Sequence, residues 1–550
     1  MTNNFIRIHP LDNVLVALRN LEQGTLIEHD GEVFNLTERV AAKHKFALTH
    51  FKTGDTIFMY GVLVGKASKE ILKGGLISTD NIYHASSNFH LGERKLDWHQ
   101  PDISKFENRT FMGYSRTDGS VGTANYWVVI PLVFCENRNI NVLKEALVDK
   151  LGYKKAKGYE SEVEQLMGLY QAGKSTQEIL NTDLKSSAEK NETKRLFNNV
   201  DGIKFLTHDM GCGGIQQDSR ALCGLLAGYI THPNVAGATV LSLGCQHAQA
   251  SILQEEIIRR DPLFSKPLII LEQQKMGTEH NLLQEALKQT FTGLVAANKN
   301  VRQPFPLSKL CIGLECGGSD GFSGISANPA LGYVSDVIVS LGGSVILSEF
   351  PELCGVEQDL SDRCINEETA KRFMDLMVIY NKRAEENGSG FYANPSFGNI
   401  KDGLITDAIK SAGAAKKGGT SPVTAVLDYP EKVVKSGLNL LCTPGSDVES
   451  TTAEVGSGAN VILFTTGLGT PTGNPVAPVI KLSTNTIIYE RMPDIIDINC
   501  GTIIAGEETI PQAGERILEY VIKVASGEIQ VKAVQLEQDD FIPWKRGVSL

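Results

Sequence analysis

From Phe111 onward the chain repeats one pattern: an apolar run, a glycine-rich or polar loop, then a helical stretch. The runs are Tyr126 to Phe134, Lys204 to Thr207, Ala238 to Leu243, Pro267 to Leu271, Lys309 to Leu314, Ser344 to Leu347, Leu438 to Leu441 and Asn460 to Thr465. Strands this apolar, alternating with helices, belong to a mainly parallel sheet covered on both faces, so the predicted class is α/β. The first ninety residues differ in texture. Short runs such as Phe5 to Ile8, Glu32 to Leu36 and Thr56 to Tyr60, separated by Gly or Asp turns, predict a small β-rich module. Asn88 to Arg109, polar and containing Pro101, reads as a linker, and the polar, Gly-rich Asn387 to Thr420 as a second boundary. The expected organisation is a module at 1–92, a linker at 93–110, a central domain at 111–395 and a C-terminal domain at 396–550.

A chain of 550 residues has room for several cores. Its 53 basic and 64 acidic residues give a net charge of −11, which argues against nucleic acid or an anionic membrane as partner. A small-molecule substrate fits better. Met1 to Pro10 lacks a basic segment followed by an apolar core, and no run of about 18 apolar residues occurs, so a cytoplasmic protein is expected. The ten cysteines follow no paired spacing and read as reduced.

Three of the apolar runs end in a cysteine beside glycine: His208-Asp209-Met210-Gly211-Cys212, Gly244-Cys245-Gln246-His247 and Glu315-Cys316-Gly317-Gly318-Ser319-Asp320. One Gly-Cys after a strand is ordinarily a small buried hydrophobe. Three of them, each with polar neighbours at strand carboxyl ends, are placed to converge on a crevice. Two chemistries remain open. Cys212, Cys245 and Cys316, with His208 nearby, hold an iron–sulfur cluster, or the cysteines only line a single Fe2+ or Mn2+ held by oxygen and nitrogen ligands.

Arg116 to Asn125 precedes a strongly apolar strand and offers Arg116, Asp118 and Asn125 to a carboxylate, hydroxyls or a metal. Ser348-Glu349-Phe350-Pro351-Glu352 places two carboxylates at a strand end, as metal ligands, acid/base groups or an acidic loop. Gly467 to Gly473, with Glu490 farther on, superficially resembles a dinucleotide fingerprint, but Pro471, Pro475 and Pro478 oppose the helix that the fingerprint needs.

Longer motifs carry a resemblance. Gly313 to Gly321 followed by Ser323 to Pro329, with Phe464 to Gly467, Gly469 to Pro471 and Ile480 to Asn485, resembles the altronate and galactarate dehydratase family, with altronate the nearer match. His9 to Val14, and His44 to Leu48 with Tyr60-Gly61 and Gly65, is similar to that family's SAF module, a small β-clip fold. The resemblance runs nearly end to end, to Gly547-Val548-Ser549-Leu550.

The resemblance implies an iron-dependent hydro-lyase that takes water from D-altronate to give 2-keto-3-deoxy-D-gluconate, and a homodimer is expected. The chemistry requires removal of the proton beside the carboxylate, a cation for the enediolate and an acid for the departing 3-hydroxyl. His44, Lys45, Asp118 and Glu315 are the catalytic candidates. Arg116, Asn125, Ser319, Asp320, Asn328, Thr466, Lys481 and Asn485 are the substrate-binding candidates. Departures from the family pattern stand at Ala124 and Leu468, where relatives commonly carry arginine, and at Ser78 and Asp80, where relatives of the altronate type often carry histidine. Another aldonate, galactarate, a nicotinamide-dependent oxidoreduction and a non-catalytic sugar-acid-binding role are the alternatives.

Overall fold

A computed structural model describes residues 4–155, 159–185 and 194–550. The predicted α/β class is found. A four-stranded parallel sheet runs Gly202–Phe205, Tyr126–Pro131, Val235–Ser242, Leu268–Glu272 across its width. A second, seven-stranded parallel sheet has Cys311–Cys316 at its centre. Ser344–Leu347, Gly437–Leu441 and Val423–Leu427 lie successively to one side; Val461–Thr466, Val479–Ser483 and Ile498–Asn499 lie to the other. Strands Cys311–Cys316 and Val461–Thr466 are adjacent, yet the chain leaves them in opposite directions. Loops at such a switch point diverge and open a crevice at the carboxyl ends of the strands.

The second boundary lies earlier than its composition suggested. Strands Cys311–Cys316 and Ser344–Leu347 are central members of the seven-stranded sheet, so residues from about 307 belong to the C-terminal domain rather than to a unit ending at 395. The second half of the polar stretch Asn387 to Thr420 is buried within that domain. Its helix Asp407–Ala414 is buried along its whole length and capped by Thr406, whose side chain accepts from Ile409 N–H. Its small residues serve close approach, Gly413 meeting Gly324 backbone to backbone.

The N-terminal module consists of antiparallel strands in a four-stranded sheet, a three-stranded sheet and a hairpin. It packs on the C-terminal domain, where Thr406 Oγ1 donates to the Val64 carbonyl. The segment expected as a linker is tied down by Lys105 to Glu515 and by a bidentate Arg109 to Glu519 pair. Both acids lie on helix Ile510–Ala525, whose apolar face (Ala513, Ile517, Leu518, Val521, Ile522, Val524) is buried. No helix among the described residues is long and apolar enough to cross a membrane.

Candidate active site

The loop that follows Cys311–Cys316 carries Ser319 and Asp320 into the crevice at the switch point. Asp320 is fully buried, and every partner is a donor: Phe322 N–H, Ser323 Oγ, Thr484 Oγ1, Asn485 Nδ2 and Lys43 Nζ. Lys43 reaches Asp320 from the N-terminal module at 3.0 Å and also holds Asp402 at 2.9 Å. Burial alone would lower the ammonium's pKa, but the two carboxylates outweigh it and hold Lys43 above its ordinary value.

Lys45, two residues farther along, opens the strand Lys45–Ala47 and is 1% exposed. Its Nζ donates to the carbonyls of Gly403 (2.6 Å) and Lys43 (3.0 Å). Desolvation brings its pKa down to about 7, against a smaller raising effect of Asp320. At neutral pH a large share of Lys45 is a free amine, and its two N–H bonds are spent on two carbonyls, which leaves the lone pair uncommitted. His44 Nε2 lies 3.1 Å from the Lys401 carbonyl. A carbonyl only accepts, so Nε2 carries the hydrogen and Nδ1 the lone pair. Burial, then Lys45, lowers the His44 pKa and keeps the ring neutral.

Two glycines make this docking possible. A Cβ at Gly403, where φ is +95°, would meet the Lys43 carbonyl oxygen at 2.5 Å, and one at Gly321 would meet it at 2.4 Å. Lys43 itself sits at φ 75°, a left-handed conformation that a lysine seldom adopts. Lys43 was not among the sequence candidates; its place beside His44-Lys45 was the available signal.

The remaining candidates divide. Asn485 Nδ2 bridges Asp320 and the Gly467 carbonyl, and Asn399 Nδ2 donates to the Ser319 carbonyl, so Asn485 and Ser319 belong to the crevice. Thr466 Oγ1 accepts from Gly469 N–H and shapes the facing loop. Asn328 is spent on Thr465 and Gly413, and Lys481 Nζ on Gln538; both are structural.

Arg116, Asp118 and Asn125 lie away from this group. Arg116 donates to the carbonyls of Pro233 and Ala124 and to Asn125 Oδ1. Asn125 Nδ2 donates to the carbonyls of Asn199 and Ala297. Asp118 accepts from both the N–H and Oγ of Ser120 in a turn. Arg116 and Asn125 tie together the backbone of the second domain, and Asp118 shapes an exposed turn.

The cysteines do not converge. Cys212 and Cys245 are exposed at the carboxyl end of the four-stranded sheet, while Cys316 is buried in the seven-stranded one. Among the described residues no group of three metal-binding side chains includes Cys212, Cys245 or His208. Both His208 ring nitrogens are occupied, Nε2 by the Pro131 carbonyl and Nδ1 by Met210 N–H. The Gly-Cys loops instead meet each other and the chain's end: Ala248 N–H donates to Gly211, and Leu550 N–H to Gly213.

Cys316 does sit within 4.8 Å of carboxylate oxygens of Glu349 and Glu352, all buried. Lysines already occupy that set: Lys417 Nζ lies 2.8 Å from Cys316 Sγ and 2.7 Å from Glu349, and Lys410 Nζ 2.6 Å from Glu352. The donors proposed for iron therefore do not fit it as they stand. Glu315 belongs to this charged cluster, accepting from Ser348 Oγ. Burial, then Glu349 and Glu454, pushes its pKa well up, and it lies in this cluster rather than beside Lys43 and Asp320.

The Pro-rich loop after Val461–Thr466 runs without a helix to Val479, which removes the dinucleotide reading. A cavity of about 910 Å³ is lined by Tyr126, Lys144, Arg195, Lys204 and Asp539, and by none of the candidate residues.

The N-terminal module and the loop at the switch point meet at Lys43 and Asp320, with the Lys45 amine buried beside them, in an α/β protein with the architecture of an enzyme. Residues 3–85 match the family described as altronate/galactarate dehydratase SAF domain, residues 113–298 the D-galactarate dehydratase/altronate hydrolase second domain, and residues 307–549 the D-galactarate/altronate dehydratase C-terminal domain. The chain is 33% identical over 550 residues to the altronate dehydratase of Bacillus subtilis (strain 168), covering 100% of both. It is 32% identical over 556 residues to the altronate dehydratase of Escherichia coli (strain K12), covering 99% of this chain and 100% of the relative. It is 32% identical over 534 residues to the galactarate dehydratase (L-threo-forming) of E. coli (strain K12), covering 95% and 93%. The chain belongs to the altronate/galactarate dehydratase family, and it is a sugar-acid hydro-lyase.

Proposed function

We propose that this enzyme dehydrates D-altronate to 2-keto-3-deoxy-D-gluconate at the crevice between the N-terminal module and the Asp320 loop. The carrying observation is Lys45, a buried amine with a pKa of about 7 and both N–H bonds engaged. Lys45 Nζ takes the C2 proton, the Lys43 ammonium faces the enediolate charge, and the Lys45 ammonium then returns the proton to the 3-hydroxyl as it leaves as water. The Nδ1 lone pair of His44 accepts a hydrogen bond from a substrate hydroxyl, while Asn485 and Asp320, whose own bonds are filled, hold Lys43 and the facing loop in place. The enol product tautomerises to the 2-keto acid.

Leu468 favours a monoacid. It is 37% exposed on the facing loop, where its N–H donates to the Gly318 carbonyl. An apolar side chain there offers no partner for a second carboxylate, so galactarate is the weaker substrate. The same reading carries a cytoplasmic, homodimeric enzyme of small-molecule sugar acids. An anaerobic assay of D-altronate, galactarate and other aldonates, with Fe2+, with Mn2+ and with chelator, tests both substrate and cation dependence. Turnover of galactarate in preference to D-altronate overturns the assignment.

A further inference from the structure

A second cluster lies where the end of the N-terminal module meets the C-terminal domain, and it shares no residue with the Lys43–Lys45 and Asp320 group. His84 follows the last strand of the module, Ile82–Tyr83. Cys354 follows the turn Phe350–Leu353, and Asp407 opens helix Asp407–Ala414. One ligand atom from each of the three lies within 4.8 Å of the others. Two of these side chains are left incomplete by the protein. His84 Nδ1 and Asp407 Oδ2 are buried polar atoms without a hydrogen-bond partner, and Asp407 is 1% exposed. The other Asp407 oxygen accepts from Ser411 Oγ at 3.4 Å.

Orphaned buried polar atoms are costly, roughly 1–3 kcal/mol each, and two of them directed at one point beside the Cys354 thiol mark a place for a shared partner. The nearby lysine does not supply it: Lys410 is committed to Glu352 and Asn394. The cluster also opens on space. A cavity of about 640 Å³ is lined by His84, Ser86, Cys354, Glu357, Asn381 and Phe391 among others.

We propose that His84, Cys354 and Asp407 form a binding site for one divalent transition-metal ion of the zinc class, with an open coordination position toward this cavity. One imidazole, one thiolate and one carboxylate are the three ligand types that Zn2+ accepts together. Tetrahedral bonds of about 2.0–2.3 Å place ligand atoms roughly 3.3–3.8 Å apart, so the trio closes on an ion with a small inward adjustment. A mixed N, S, O set binds Fe2+ more weakly than Co2+ or Zn2+. Because His84 comes from the module and the other two from the C-terminal domain, the ion cross-links the two units near Gly355, where a Cβ would touch Ala408 and come within 3.5 Å of Ser86.

The test uses the full chain, stripped of metal under reducing conditions and titrated with Co2+. One equivalent is expected to give a thiolate-to-cobalt charge-transfer band, and Zn2+ to remove that band and raise the melting temperature. Cys354→Ser should abolish the band. His84→Ala, at a half-buried position, should melt like the metal-free native chain yet bind Co2+ at least ~10-fold more weakly and gain no melting temperature from Zn2+. The site is overturned if the native chain shows no such band. It is equally overturned if the band survives Cys354→Ser, which assigns the thiolate to Cys212 or Cys245, or if a normally melting His84→Ala binds Co2+ undiminished.

Discussion

Lys43 and Asp320 meet at 3.0 Å across the seam between the N-terminal module and the C-terminal domain, and every other group on Asp320 is also a donor. Asp320→Asn puts an NH2 group where only acceptors are tolerated, whichever way the amide turns. We expect a stability loss of about 3 kcal/mol by urea unfolding, with turnover reduced at least ~100-fold. A variant with native stability and native turnover removes Asp320 from the site.

Lys45 makes the stability of the chain pH-dependent in a defined window. Its pKa falls from the ordinary 10.5 to about 7 on folding, so between those values the unfolded chain binds more protons. Stability therefore rises with pH from about 7 toward 10.5, by at most ~1.4 kcal/mol per unit from this group. Comparing native chain with Lys45→Met by unfolding at pH 7, 8 and 9 should show the native chain gaining on the variant as pH rises.

The same lysine sets the rate. kcat/KM should rise through an apparent pKa near 7 as the amine is freed. Lys45→Met should lose ~100-fold or more while keeping D-altronate binding by calorimetry. A pH profile without that limb removes Lys45 as the base.

Gly403→Ala tests the docking itself. The φ of +95° and the 2.5 Å approach to the Lys43 carbonyl both oppose a methyl group. Backbone strain of roughly 1–2 kcal/mol is expected, together with a displaced 43–45 segment. Activity should fall by more than the melting temperature shift explains.

Cys135, Cys212 and Cys245 are the exposed thiols among the described residues. Three thiols should react promptly with a disulfide reagent in the native chain, and one in the Cys212→Ser, Cys245→Ser double variant. Turnover of that variant should stay within about twofold of native. Slow or absent labelling revives these cysteines as ligands.

The parallel sheets were legible because buried strands leave unbroken apolar runs, and the crevice because Glu315 to Asp320 ends such a run in glycines. The stretch Asn387 to Thr420 reads as a boundary because its first half is exposed, while the small residues of its second half serve close packing, as at Gly413 against Gly324. Arg116 and Asn125 look in sequence like ligand groups because a packed seam needs the same donors and acceptors that a substrate does, and Asp118 because a turn needs an acceptor. The convergence of Cys212, Cys245 and Cys316 failed on sheet membership, which local spacing does not encode. Lys43 was missed because its role depends on a residue in another domain.

The basicity of Lys45 is a property of the docked chain and not of the lysine. Water withdraws from its amine only where the N-terminal module presses on Gly403, and away from that surface it reverts to an ordinary ammonium that cannot take a proton. If Lys45 is the base, as proposed, a chain in which the module has come loose is a silent one even with every residue intact.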